Sequence, residues 1–166
     1  MRYYIKQKVF SLKAKFDVTD EHENVQYRVE GQMFSLKNRL TLQTIEEQTL
    51  FYAEKKIFTF LPEYFIYNSE GIQVARVKRR FTFFKVQFDV FEGNNEIAVD
   101  GDFTGHNFSI MKNGSMAASI LKKWFTFGDS YEIDVMDDQF TTLYLFLVII
   151  VDQVAEAARR NANSNH

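Results

Sequence analysis

Lysine and arginine are unevenly spread along this chain. Of the 20, thirteen fall in six nine-residue windows, each running from three residues before to five after a phenylalanine followed by Ser or Thr. Three of those phenylalanines are preceded by a basic run: Lys55 and Lys56 in KKIFTF, Lys78, Arg79 and Arg80 in KRRFTF, and Lys122 and Lys123 in KKWFTF. Only Glu63, Asp100, Asp102 and Asp129 oppose the basic residues inside the windows. Clustered ammonium and guanidinium groups attract phosphate, and beside an anionic bilayer each contributes about 1 kcal/mol. These seven residues are therefore the candidate anionic-ligand site, with phospholipid headgroups as the ligand class. Nucleic-acid phosphate answers to the same charges, but a net charge of −2 gives the whole molecule no bulk attraction to it, and no nucleic-acid partner is expected. The plainer reading is that Lys and Arg keep an exposed sheet end hydrated and unpaired with other sheets. The fifth window, DGDFTG, lacks a basic pair and interrupts the pattern.

Other chemistry is poorly provided for. The chain has no cysteine, which removes disulfides, thiolate metal sites and cysteine nucleophiles together. His22 stands between Glu21 and Glu23 in a turn-like stretch, and His106 follows Asp100 and Asp102 at a spacing that matches no metal template, so a polar turn is the better account of both. No Gly-rich phosphate loop, HExxH or GxSxG occurs. The expectation is a non-catalytic protein without metal or cofactor.

The six phenylalanines mark a repeat. Phe10, Phe34, Phe58, Phe81, Phe103 and Phe125 are separated by 24, 24, 23, 22 and 22 residues. Between them the chain alternates with the period of a half-buried strand: Val25, Tyr27 and Val29 against Gln26, Arg28 and Glu30, or Val86, Phe88 and Val90 against Lys85, Gln87 and Asp89. Each unit reads as strand, corner and returning strand. Turn-forming residues at 20–24, 46–48, 68–71, 92–95 and 112–114 separate the units. Twelve strands follow, near 3–9, 14–20, 25–31, 38–44, 50–56, 63–69, 73–80, 85–91, 95–102, 107–113, 115–124 and 130–136.

Such a sheet exposes two edges unless it closes. Twelve strands about 4.8 Å apart and tilted about 40° make a ring about 24 Å across, wide enough after side chains to admit a helix. Phe140–Val151 offers one: FTTLYLFLVIIV carries no charge and is bounded by Asp137, Asp138 and Asp152. At about 1.5 Å per residue it covers about 18 Å, short of a bilayer. Lengthening it takes in Asp152 and Glu156, each costing about 2.5–3.5 kcal/mol at mid-membrane, so no integral membrane span is expected. A helix apolar on all sides outside lipid belongs in a core. Asp137 and Asp138 suit its N-terminus, at the end of the barrel opposite the basic corners.

Short strands in about six hairpins, KxFTF-type corners and DDQFTTLYLFLVIIVD at 137–152 together resemble the LURP-one-related family of the tubby-like superfamily, which includes the phospholipid scramblases. The resemblance runs from Tyr3 to about Ala158. It implies a twelve-stranded barrel around a central helix. Some tubby-like relatives bind phosphoinositides, and scramblases act on lipids and bind calcium, but no ligand residue of theirs maps onto a position here.

The expected fold is thus mainly β, a closed twelve-stranded antiparallel barrel enclosing a central hydrophobic C-terminal helix. One domain spans 1–160, with strands in 3–136, the helix at about 138–158 and a disordered tail at 161–166. The expected function is a non-catalytic tubby-like module that binds an anionic membrane surface through its basic rim. The start, MRYYIKQKVF, lacks the apolar stretch of a signal peptide, which makes the cytoplasm the expected location. A small-molecule-binding barrel and a protein-interaction scaffold stay open as alternatives.

Overall fold

Alternation of apolar and polar residues shapes each strand of the computed structural model, which describes residues 1–8, 14–31, 39–56, 63–80, 86–102, 107–125 and 128–164. In β1 (Arg2–Gln7), Tyr3 and Ile5 are buried while Arg2 and Lys6 are exposed; in β2 (Ala14–Asp20), Ala14, Phe16 and Val18 are buried between half-buried Lys15 and Asp17. The same period continues through β3 (Val25–Gly31), β4 (Leu40–Thr44), β5 (Thr49–Lys55), β6 (Glu63–Asn68) and β7 (Gln73–Arg80). β8 (Val86–Glu92), β9 (Asn95–Asp102), β10 (Asn107–Lys112), β11 (Ser115–Phe125) and β12 (Gly128–Val135) complete the sheet. Every strand pairs antiparallel with its neighbours in sequence. β1 also pairs with β12, with Arg2 opposite Asp134, Tyr3 opposite Ile133 and Ile5 opposite Tyr131, so the strand order returns on itself.

The repeat reappears in the turns. Asp20, Thr44 and Asn68 each close a turn through a backbone bond to the residue four further on, at 2.9–3.0 Å, and accept a second bond from the residue three on. The residues at that third position, Glu23, Glu47 and Gly71, have φ of 64°, 65° and 80°. Each turn is preceded by a register shift, after Val18, Leu42 and Ile66. The starting side chain stabilises its own loop: Asp20 Oδ1 accepts the backbone N–H of His22 and Asn24, and Asn68 Oδ1 those of Glu70 and Ile72. The β10–β11 connection is tighter, an Asn113-Gly114 pair with φ of 49° and 82°, as the two-residue hairpin requires. All these turns lie at one end. Five of the repeat phenylalanines, Phe10, Phe34, Phe58, Phe81 and Phe103, fall outside the described residues.

Asp137 caps the C-terminal segment by accepting the backbone N–H of Gln139. Asp138–Phe140 wind as a 3-10 turn, and α1 runs from Thr141 to Ser164. Leu143 through Val151 are each at most 3 % exposed, so every face of the helix is covered. Tyr144 and Phe146 from the helix join Phe16, Leu42, Ile66, Ile97, Ile110, Tyr131 and Ile133 from the strands in one apolar cluster. The helix starts later than the expected 138 and ends beyond the expected 158. The residues read as a tail from 161 are helical to Ser164, because Ala157, Ala158, Arg159, Arg160 and Ala162 are strong helix formers with no Gly or Pro to stop them.

Candidate functional site

The strand ends next to the corners carry the basic residues singled out in the sequence. Lys55 ends β5 and is half-buried, Lys56 follows it exposed, and Lys78 is exposed opposite Glu63 across the β6–β7 pairing. Arg79 and Arg80 end β7. Lys123 is exposed on β11, separated from β7 by β8, β9 and β10 in the strand order. The fold thus brings Lys55, Lys56 and the β7 triplet to the corner ends of two strands that flank β6, and sets Lys123 apart from them.

Carboxylates on adjacent strands meet several of these cations. Lys56 Nζ lies 3.5 Å from Glu63 Oε2 and 5.5 Å from the centre of the Phe65 ring. Lys123 Nζ lies 2.7 Å from Glu132 Oε2. Lys8 pairs with Asp17 at 2.7 Å, Lys15 with Glu30 at 3.1 Å and Arg39 with Glu54 at 2.9 Å. The basic excess counted along the sequence therefore overstates the field, since Asp17, Glu30, Glu54 and Glu132 lie outside the windows in sequence but beside them in space. Pairs open to solvent are worth about 0–1 kcal/mol, but Glu63 is buried, so a phosphate draws Lys56 away only at a greater cost.

Lys122 does not belong to that surface. It is 6 % exposed and points into the barrel, where its Nζ lies 2.8 Å from Asp152 Oδ1. Tyr131, its cross-strand partner, donates its hydroxyl hydrogen bond to the same carboxylate oxygen. Lys122 Nζ also stands 5.2 Å from the centre of the Tyr131 ring. Strand geometry accounts for this: Lys122 and Lys123 are consecutive, so they face opposite sides. Parity would have shown this, because Ala118 and Ile120 on the same face are buried. Asp152, which in the sequence only bounds the apolar run, is the helix's ionic anchor to the wall. Its Oδ2 is buried without a hydrogen-bond partner among the described residues.

The turn end is built differently. Lys112 Nζ bonds Asp137 Oδ2 at 2.8 Å and Gln139 Oε1 at 2.9 Å, and lies 4.5 Å from the centre of the Phe140 ring. Tyr144 donates to Asp137 Oδ2 at 2.8 Å. The Lys112 ammonium, then the Tyr144 hydroxyl, hold the Asp137 carboxyl below the ordinary carboxylate range against the opposing effect of burial. On β6, burial pushes the Tyr64 hydroxyl up to about 12. Of the conceivable metal set, Asp100 is half-buried on β9 and His106 lies outside the described residues. Among the described residues no cluster of His, Cys, Asp and Glu could hold a metal ion.

A family model described as LURP-one-related matches residues 1–152. The uncharacterized protein YxjI of Bacillus subtilis (strain 168) is 32% identical over 151 residues, 91% of this chain and 91% of its own length. An X-ray structure of a protein from Arabidopsis thaliana superposes with a TM-score of 0.67 at 15% identity, covering 93% of this chain and 91% of that one. That likeness is one of fold.

Proposed function

This chain belongs to the LURP-one-related family, and from that premise we propose that it is a non-catalytic, tubby-like module that binds anionic phospholipid headgroups at a membrane surface in the cytoplasm. The tubby-like ring of twelve strands with its central helix serves as a rigid holder for the corner-end cations. What carries the reading is the placement of Lys55, Lys56, Lys78, Arg79 and Arg80 at the corner ends of β5 and β7, the two strands that flank β6, with Lys56 and Lys78 exposed. With Lys122 removed, these five and Lys123 are the proposed contacts. No nucleic-acid partner, metal or cofactor enters this proposal.

The helix stays in place under this reading. By length and composition Asp138–Ala155 could cross a membrane, but 61% of that window is buried inside the protein, and Asp152 is tied to Lys122. Extraction into lipid would expose the apolar lining of the barrel and break an interior ion pair, which disfavours lipid scrambling.

Co-sedimentation with liposomes tests the proposal, using vesicles of neutral lipid and vesicles containing anionic lipid. Wild type is expected to pellet with the anionic vesicles only, and Lys78→Glu/Arg79→Glu/Arg80→Glu to remain in the supernatant. Equal pelleting of both proteins, or none with either vesicle, ends the lipid reading.

A further inference from the structure

Every turn at the end opposite the basic corners is described, and the lipid reading gives this end no task. It carries Ile45 at 48% exposed, Ile72 at 57%, Met116 at 50% and Met136 at 56%. Single exposed apolar residues are ordinary on a protein surface. Their confinement and surroundings are less so. Among the described residues only Leu121 of the exposed large apolar side chains lies away from this end. Three of the four are next to carboxylates in their own loops: Ile45 before Glu46 and Glu47, Ile72 after Glu70, and Met136 before Asp138. Lys112 is the one Lys or Arg in these turns, and Asp137 already holds it.

The strand order fixes where the apolar groups stand. Ile45 and Ile72 belong to the β4–β5 and β6–β7 turns, whereas Met116 is the second residue of β11 and Met136 follows β12, on the other side of the ring. A ring of this strand number is about 24 Å across, a distance covered by about 16 helical residues at about 1.5 Å each. We propose that this end docks a cationic amphipathic helix of about 16 residues from a partner protein, with apolar anchors near both ends and Lys or Arg between them. The anchors sit on Ile45 and Ile72 at one side and on Met116 and Met136 at the other, where unbranched thioethers adapt to varied shapes. The carboxylates complement the partner's charge and repel an anionic bilayer, which selects a polypeptide over a membrane as occupant. This proposal uses none of the corner-end residues and is independent of the lipid reading.

Fluorescence anisotropy with a labelled synthetic peptide of Lys and Ala, about 16 residues long with Leu near each end, tests it. Saturable binding with 1:1 stoichiometry is expected, and a peptide of equal charge without Leu is expected to bind much more weakly. Ile45→Ser/Ile72→Ser and Met116→Ser/Met136→Ser should each weaken the complex about tenfold, while Glu46→Lys/Glu47→Lys should weaken it and flatten its salt dependence. Lys78→Glu/Arg79→Glu/Arg80→Glu should bind the peptide no less tightly than wild type. Equal binding of the Leu-free peptide, or wild-type affinity in both Ser variants, would overturn the proposal. So would self-association through this end, seen as a mass that rises with protein concentration and falls in the Ser variants.

Discussion

Lys122 and Asp152 come together from positions 30 apart in sequence, so no local signal in the chain pairs them. Removing one charge leaves the other without its partner in a dry interior, which is costlier than removing both. Asp152→Ala is expected to lower stability by about 3–5 kcal/mol, whereas Lys122→Met/Asp152→Leu should lose much less, and urea midpoints of the two variants decide it. Asp137 gives a second residue-scale test. Because its folded-state pKa is depressed, its contribution is present above the ordinary carboxylate value, about 4, and is lost as pH falls through the depressed value. Thermal melts should therefore show wild type losing stability in that acid window, and Asp137→Asn, lower at neutral pH, losing less. Basic pairs such as Lys122-Lys123 were legible as charge, but their opposite orientations needed the parity of the strand to be applied residue by residue.

At the scale of elements, strand positions were open to reading because alternation is local: Val25, Tyr27 and Val29 mark β3 without help from the rest of the chain. The helix announced itself by twelve uncharged residues. Its first turn did not, because a 3-10 turn and an α-helix share a capping aspartate and the same hydrophobic spacing within three residues. The turn repeat was legible as a period near 24 but not as a shared geometry. Positive φ at Glu23 and Glu47 is an unusual demand on a side chain that carries a Cβ, and Gly71 meets it in the third copy. Glu47→Gly should relieve about 1–2 kcal/mol of backbone strain and add about 0.5–1 kcal/mol of unfolded-state entropy, for a net gain near 0.5–1 kcal/mol. A higher urea midpoint checks this; a lower one shows the Glu47 side chain to be worth more than the strain.

Across the whole molecule, the wall and its core helix depend on one another. A chain ending at Asp137 keeps every strand but loses Leu143, Tyr144, Phe146 and Ile149 from the apolar cluster. It is expected to bind a hydrophobic dye and to unfold without a sharp transition, and a cooperative melt would show the wall to be self-sufficient. Charge at this scale was the least legible property. Counting along the sequence separates a basic end from an acidic one, but Lys8, Lys15, Arg39 and Lys123 find carboxylates on the next strand, outside their own windows, which counting cannot see. The pairing of Arg2 with Asp134 has a consequence for synthesis. The opening strand has no second neighbour until β12 has left the ribosome, and the interior segment emerges later still. Until then the waiting nascent sheet, with one flank bare, is the species a chaperone would have to shelter.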